Sequence, residues 1–283
     1  MTSRIASIKQ IRLQAYVHDE ETEVFSITMN AVLGRIQQWE QLVRPREQLA
    51  RRKDAPWKRS YQPVVANLLR ELSPRNVLDV PSGEGWLRPE LDDCCVLDGI
   101  DLYAERPAGY RSFTRHNLDD GLPESLGRYE AIVSCEGIEH FGNPELFLRT
   151  ARRHLVPGGM LVVSTPNTWH PAARLQYLLR GFFPSFPCLV GRVQSGDHMH
   201  IMPWSFPQLY LYLHLAGFRN IRLHGMPERK PKHLFEWLFG LPQALYCRHK
   251  YRRATSPVQR AFWRQAGSRQ SVFGRRLLVT ATA

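Results

Sequence analysis

The chain of 283 residues is defined first by what it has little of. No run of about twenty apolar residues occurs, so no membrane-spanning helix is expected. The opening stretch MTSRIASIKQIRLQ has no apolar h-region, and no signal peptide is expected there. The five cysteines (Cys94, Cys95, Cys135, Cys188 and Cys247) include no C-x-x-C pair. That weighs against a structural zinc site and a disulfide framework, and favours a reducing, cytoplasmic setting. Acids are scarce at the C-terminal end. Residues 228–283 hold twelve Lys or Arg against Glu228 and Glu236, a net of +10 out of +12 for the whole chain. Such a patch suits an anionic partner (nucleic acid, acidic lipid or acidic glycan), or it is simply a solvated basic surface. No internal repeat is present.

What is there is an ordinary globular composition, 43% hydrophobic, enough for a sizeable core. Residues 24–41 and 61–72 have helix-like apolar spacing, with a charge-rich linker or surface helix at 44–59 between them. From Asn76 a regular alternation begins. Buried strands are expected at 76–80, 96–101, 111–117, 131–135 and 160–165. A helix is expected after the first strand's turn. Another is expected at 144–155, stopped by Pro157-Gly158-Gly159. A helix at 206–216, a strand at 218–224 and a last strand at 275–280 follow. Alternating strands and helices imply a parallel sheet covered on both faces. Residues 167–203, rich in aromatics, Pro and Gly, read as an insertion over the sheet's active edge. Residues 229–274 form a basic, aromatic-rich excursion.

The stretch Asp79-Val80-Pro81-Ser82-Gly83-Glu84-Gly85 puts a glycine-containing turn behind a buried strand. Without Cβ atoms, the glycines let backbone approach a ligand closely. Asp101, at the end of the second strand, is placed to take both ribose hydroxyls of a nucleoside at the carboxyl edge of an open sheet. Asp79 and Asp101 also have a plainer reading as turn or helix caps.

Five segments, VLDVPSGEG (77–85), GID (99–101), SCEGIEHF (134–141), FLRTARRHLVPGGMLVVSTPN (147–167) and LAGF (215–218), together resemble class I S-adenosylmethionine (SAM)-dependent methyltransferases. The resemblance covers residues 77–218. It implies an α/β fold: a Rossmann-like sheet with helices on both faces. Around that sheet lie an N-terminal helical extension (1–60), a catalytic domain (61–228), a C-terminal basic insertion (229–274) and a last strand (275–283). It also implies that Gly83 and Gly85 pack on the methionine part of SAM, with Asp79 beside them. Asp101 would hold the ribose, and Asn117 and Leu118 would flank the adenine. Cys135 and Glu136 would stand at the mouth of the site. Pro81 departs from the three-glycine pattern of the family at the cost of one flexible position. A nicotinamide dinucleotide is the runner-up cofactor, but the PGG-then-strand element and Glu-x-x-Glu-His are not dehydrogenase features.

Glu136, Glu139 and His140, spaced i, i+3, i+4, share one face if they start a helix. His198-x-His200 on an extended segment points both imidazoles one way. Together with Trp204 downstream, these elements resemble the ubiquinone-pathway and small-RNA O-methyltransferases. The resemblance implies a divalent ion held by Glu136, Glu139, His140 and His200, with His198 as the alternative to His200. Mg²⁺ is expected first, and imidazole also admits Mn²⁺ or Fe²⁺. Without a metal, His140, His198 or His200 would act as general base. Either way the histidines favour an oxygen acceptor.

The aromatics of 169–203 (Trp169, Tyr177, Phe182, Phe183 and Phe186) either stack on an acceptor or fill a core. A sugar or glycan hydroxyl, including that of a glycolipid, is the first expectation for the acceptor. A quinone or phenol and an RNA 2′-hydroxyl are the alternatives, and no separate RNA-binding module is visible. A non-catalytic SAM-binding protein is the remaining class. Residues 229–274 read as a lid, a dimer contact or a peripheral contact with the inner face of a membrane.

Overall fold

The computed structural model describes residues 61–183, 200–228, 231 and 234–283. The expected helix at 24–41, the linker at 44–59, Phe186, Cys188 and His198 lie outside the described residues. The described chain runs α1 (Gln62–Leu72), β1 (Asn76–Asp79), β2 (Val96–Asp101), β3 (Ser112–Arg115), β4 (Tyr129–Cys135), α2 (Pro144–Arg153), β5 (Leu155–Pro166) and α3 (Pro171–Arg180). It continues through α4 (Phe206–Leu215), β6 (Arg219–Leu223), α5 (Leu234–Arg253), α6 (Pro257–Ala266), α7 (Arg269–Phe273) and β7 (Arg276–Thr282).

The strands form one seven-stranded sheet in the order β3-β2-β1-β4-β5-β7-β6. Neighbours pair in parallel from β3 to β5, and β7 is antiparallel to both β5 and β6. The sheet is therefore mixed where all-parallel pairing was expected. Because β6 and β7 are antiparallel, the chain leaves β6 and re-enters β7 at one edge. That edge is the carboxyl edge of β5, where Pro166 pairs with Arg276. Helices α5–α7 and the segment after Pro166 thus depart from the same edge that carries Asp79, Asp101 and Glu136.

Alternate strand residues feed two cores. Leu78, Ile132, Leu161 and Val163 face one core with α2 and α4. Val77, Ala131, Val133 and Val162 face the other with α1. This is the period-2 alternation of a strand buried on both faces, which reads in the sequence as an unbroken apolar run. Side-chain caps set the helix starts. Asn143 accepts from the Leu146 amide, Ser205 from Gln208, Ser256 from Gln259 and Ser268 from Ser271.

Three boundaries differ from expectation. The helix expected after the glycine turn is only a 3₁₀ turn at Arg88–Glu90. Pro89 lacks an amide hydrogen, and the Arg88 guanidinium draws in the carbonyls of Leu91 and Cys95 at 3.0 and 2.8 Å. Helix α2 ends at Arg153, and β5 begins at Leu155 rather than 160. Leu155 pairs with Tyr129 and Met160 with Ala131, so Pro157-Gly158-Gly159 sits in a bulge inside the strand. The excursion after β6 is built from helices α5, α6 and α7.

Candidate active site

The turn after β1 is left-handed at both its glycines: φ is +50° at Gly83 and +78° at Gly85. A Cβ on Gly83 would meet nothing within 4 Å, so its face is open, whereas one on Gly85 would lie 2.3 Å from the Pro107 ring. The Asp101 carboxylate reaches across to this turn. Its Oδ2 accepts from the Gly83 amide at 3.0 Å, and its Oδ1 accepts from Tyr103 and Ala104 at 2.9 and 3.0 Å. Two oxygens carry about four lone-pair sites, so three amides leave capacity for a ligand hydroxyl. An open glycine face beside an acid at a strand end fits the ribose and methionine parts of SAM.

Asp79 is fully buried. Its Oδ2 accepts from the Tyr110 hydroxyl at 2.5 Å, and its Oδ1 has no hydrogen-bond partner. Burial pushes its pKa up to about 8, and the charge of Asp101 adds to the rise. Pro81, standing where the family pattern has glycine, is accommodated from the other side. A Cβ on Gly137 would come within 2.2 Å of the Pro81 Cδ, so only glycine fits there.

Asn117 is exposed and caps the 3₁₀ turn Leu118–Asp120 by accepting from the Asp119 amide at 3.1 Å. The Leu118 side chain is buried in the core with Ile100 and Phe147. Cys135 is buried at the end of β4, and burial raises its thiol pKa well above the ordinary value.

Glu136, Glu139 and His140 do not share a helix face. Glu136 has φ +52° and lies before the 3₁₀ turn Ile138–His140. Its carboxylate turns to Arg276 of β7 at 3.2 Å and accepts from the Ser164 hydroxyl at 3.3 Å. It therefore stands apart from the ligand group expected of it. Glu139, His140 and His200 do come together, with one candidate ligand atom from each within 4.8 Å of the others. The His140 and His200 rings meet edge to face, 4.8 Å between centroids. The Glu139 Oε2 accepts from Thr165 at 2.9 Å, while its Oε1 has no hydrogen-bond partner and lies 4.0 Å from His140 Nε2. Burial, then the charge of Glu136, raises the Glu139 pKa to about 8. An orphaned buried carboxylate oxygen facing two imidazoles fits a cation.

The backbone holds His200 in place. The Glu139 carbonyl accepts from the Ile201 and Met202 amides, both at 3.0 Å. Trp204 is fully buried, and its indole N–H donates to the Ile138 carbonyl at 3.3 Å. It is a structural staple for this turn. Beside His200 lies a cavity of about 150 Å³, lined by Thr168, Tyr177, Phe182, Phe183, Met202 and Pro203 among others. Tyr177 stacks on Phe183 with centroids 4.4 Å apart, and Trp169 lies 5.7 Å from the same ring. Sequence reasoning missed Tyr110, Thr165 and Arg276. Each reaches the site from a distant element, and no local spacing signals it.

A methyltransferase domain family model matches residues 50–223. The chain belongs to this family, the SAM-dependent class that the motifs resembled. Among curated relatives, the mitochondrial ubiquinone biosynthesis O-methyltransferase of Rattus norvegicus is 29% identical over 143 residues, covering 46% of this chain and 40% of that one. The ubiquinone biosynthesis O-methyltransferase of Caulobacter sp. (strain K31) is 36% identical over 77 residues, 25% of this chain and 29% of the relative. The chain thus spans well under half the length of these two relatives. A SAM dependent methyltransferase from Archaeoglobus fulgidus aligns in structure at 14% identity and a TM-score of 0.47, covering 78% of this chain and 94% of that one.

Proposed function

We propose that the protein moves the methyl group of SAM to the hydroxyl of a phenolic or quinol-type ring. The carrying observation is the cavity beside His200. It measures about 150 Å³ and is walled largely by Tyr177, Phe182, Phe183, Met202 and Pro203. An apolar cavity of roughly this size holds a single six-membered aromatic ring. A sugar would arrive with several hydroxyls to desolvate and few partners to meet them. The names of the curated relatives point the same way, and the glycan reading has no support beside them.

In this reading Asp101 takes the ribose, and the Gly83 face admits the methionine arm. SAM supplies a methyl already activated on a sulfonium. The chain's own work is alignment of the acceptor and removal of its proton. His200 lines the cavity and touches His140, so one of these imidazoles receives the hydroxyl proton. A divalent ion, if bound, would be held by Glu139, His140 and His200 and would lower the pKa of an acceptor hydroxyl. With Glu136 drawn away to Arg276, one carboxylate and two imidazoles remain. That donor set suits Mn²⁺ or Fe²⁺ better than Mg²⁺.

The test is transfer of labelled methyl from SAM to three acceptors offered in parallel: an alkylated catechol, a polysaccharide and a short RNA. Incorporation into the catechol alone is expected. Transfer only to polysaccharide or RNA would overturn the proposal.

A further inference from the structure

Helix α5 carries an uninterrupted exposed stripe. Leu234, Leu238, Leu241, Leu245, Arg248 and Arg252 follow one another at i, i+4, i+7, i+11, i+14 and i+18. On an α-helix these six share one face. The four leucines are 87%, 71%, 49% and 55% exposed. The opposite face is anchored: Glu236, Gly240 and Cys247 are buried. Glu236 pairs there with Arg275, the residue before β7, and the Phe239 carbonyl accepts from Arg174 of α3 at 2.8 Å. Helix α3, packed on α5, adds the exposed Leu178 and Leu179. Isolated exposed leucines are ordinary, but a contiguous apolar patch on a fixed helix marks a contact site.

From this stripe, and resting on the reading of a lipophilic phenolic acceptor, we infer that α5 docks the protein on an anionic lipid bilayer. Its leucines enter the acyl boundary, and Arg248 and Arg252 lie among the headgroups. Charge selects this occupant. The only acid of α5 is Glu236, which is buried, so the helix offers solvent no negative charge. Lys250 and Arg253 reinforce Arg248 and Arg252 at its C-terminal end. A second copy meeting the same face would bring like charges together, which disfavours a two-fold contact. Residues 228–283 carry a net of +10, and Lys and Arg close to an acidic leaflet are drawn to its negative surface potential. No helix among the described residues is long and apolar enough to cross a membrane, so the contact is interfacial. The cavity opens close by: Tyr177 of α3 both lines it and is 46% exposed beside Leu178. A lipid-dissolved acceptor would then reach His200 without crossing bulk water.

The experiment is co-sedimentation of the full chain with vesicles, without any acceptor. One set is neutral phosphatidylcholine; the other contains about one-third phosphatidylglycerol. Binding to the anionic set is expected, weakening as salt rises from about 0.1 to about 0.5 M. L238E/L241E and R248E/R252E, both on the exposed face, should each bind the anionic vesicles about tenfold or more weakly. SAM titration of both variants should be unchanged. Failure to sediment with anionic vesicles would overturn the inference. So would vesicle binding indifferent to both double variants. A dimer in gel filtration that L238E/L241E dissolves, with no vesicle binding, would assign the stripe to self-association instead. Vesicle binding is read without catalysis, so its failure and that of the phenolic acceptor are separable.

Discussion

Replacing Asp101 with alanine tests the cofactor site and the fold at once. The carboxylate accepts three backbone amides (Gly83, Tyr103 and Ala104) at 2.9–3.0 Å and is only 9% exposed. Leaving three such donors short of an acceptor should cost about 2–3 kcal/mol, partly softened by water entering the gap. For a domain of this size that lowers Tm by roughly 4–12 °C. The protein remains folded at 25 °C, because domains of this kind hold about 5–15 kcal/mol. SAM binding weakens as well. The one charge-assisted bond that the remaining lone-pair site can accept from a ribose hydroxyl contributes about 1.5–3 kcal/mol, so Kd should rise by roughly 10- to 150-fold. Asp101→Asn keeps an oxygen for Tyr103 and Ala104 but sets an amide N–H₂ against the Gly83 amide. It should retain more of the stability and still lose most of the affinity. Calorimetric titration of SAM at 25 °C, with differential scanning calorimetry on the same samples, separates the two effects. A folded Asp101→Ala protein with wild-type SAM affinity would refute the cofactor assignment. An unchanged Tm would refute the claim that this carboxylate organises the glycine turn.

Glu139→Ala and His200→Ala should each weaken Mn²⁺ binding in a calorimetric titration by more than about 100-fold, since even the outer partners of metal ligands typically contribute 10–100-fold. Full activity in the presence of a strong chelator would dispose of the metal. Asp79 sets a pH trend in stability. Burial raises its folded pKa from an ordinary 3.8 to about 8, so the folded state binds more protons than the unfolded one across that window. Its contribution is complete below the unfolded value and is lost as pH rises through the folded one, with a slope of up to about 1.4 kcal/mol per pH unit. Denaturant titrations between these limits should show that decline, and Asp79→Asn should flatten it; an identical slope in the variant would rule Asp79 out as its source. Glu236→Ala leaves Arg275 with its charge half-buried and unpaired by Glu236. It should cost about 3–5 kcal/mol. A loss under about 1 kcal/mol in urea unfolding would mean that the pair does not anchor α5.

Much of this protein was legible along the chain, because some signals are local. Val77-Leu78 and Ile132-Val133 read as buried strand because apolar residues on both faces leave an unbroken run. Gly83, Gly85 and Asp101 announced a nucleoside site through a turn and a strand end only a few residues long. Apolar spacing placed the helices near 144–155 and 206–216, whose starts Asn143 and Ser205 cap in the structure. The family followed from the order of such pieces.

Tertiary structure decided what depended on residues far apart in sequence. Spacing placed Glu136 with Glu139 and His140, but Arg276, 140 positions later, drew it away once β7 inserted beside β5. His200 joined Glu139 only because the Ile201 and Met202 amides found the Glu139 carbonyl. The run of apolar residues in α5 gave no hint of its outer face, since apolar and aromatic side chains surround the helix. Burial of Glu236 against Arg275 turned one side inward and left the leucine stripe in water. Strand periodicity and turn chemistry are properties of neighbouring residues; which carboxylate pairs, which imidazole arrives and which helix face stays exposed depend on the assembled sheet.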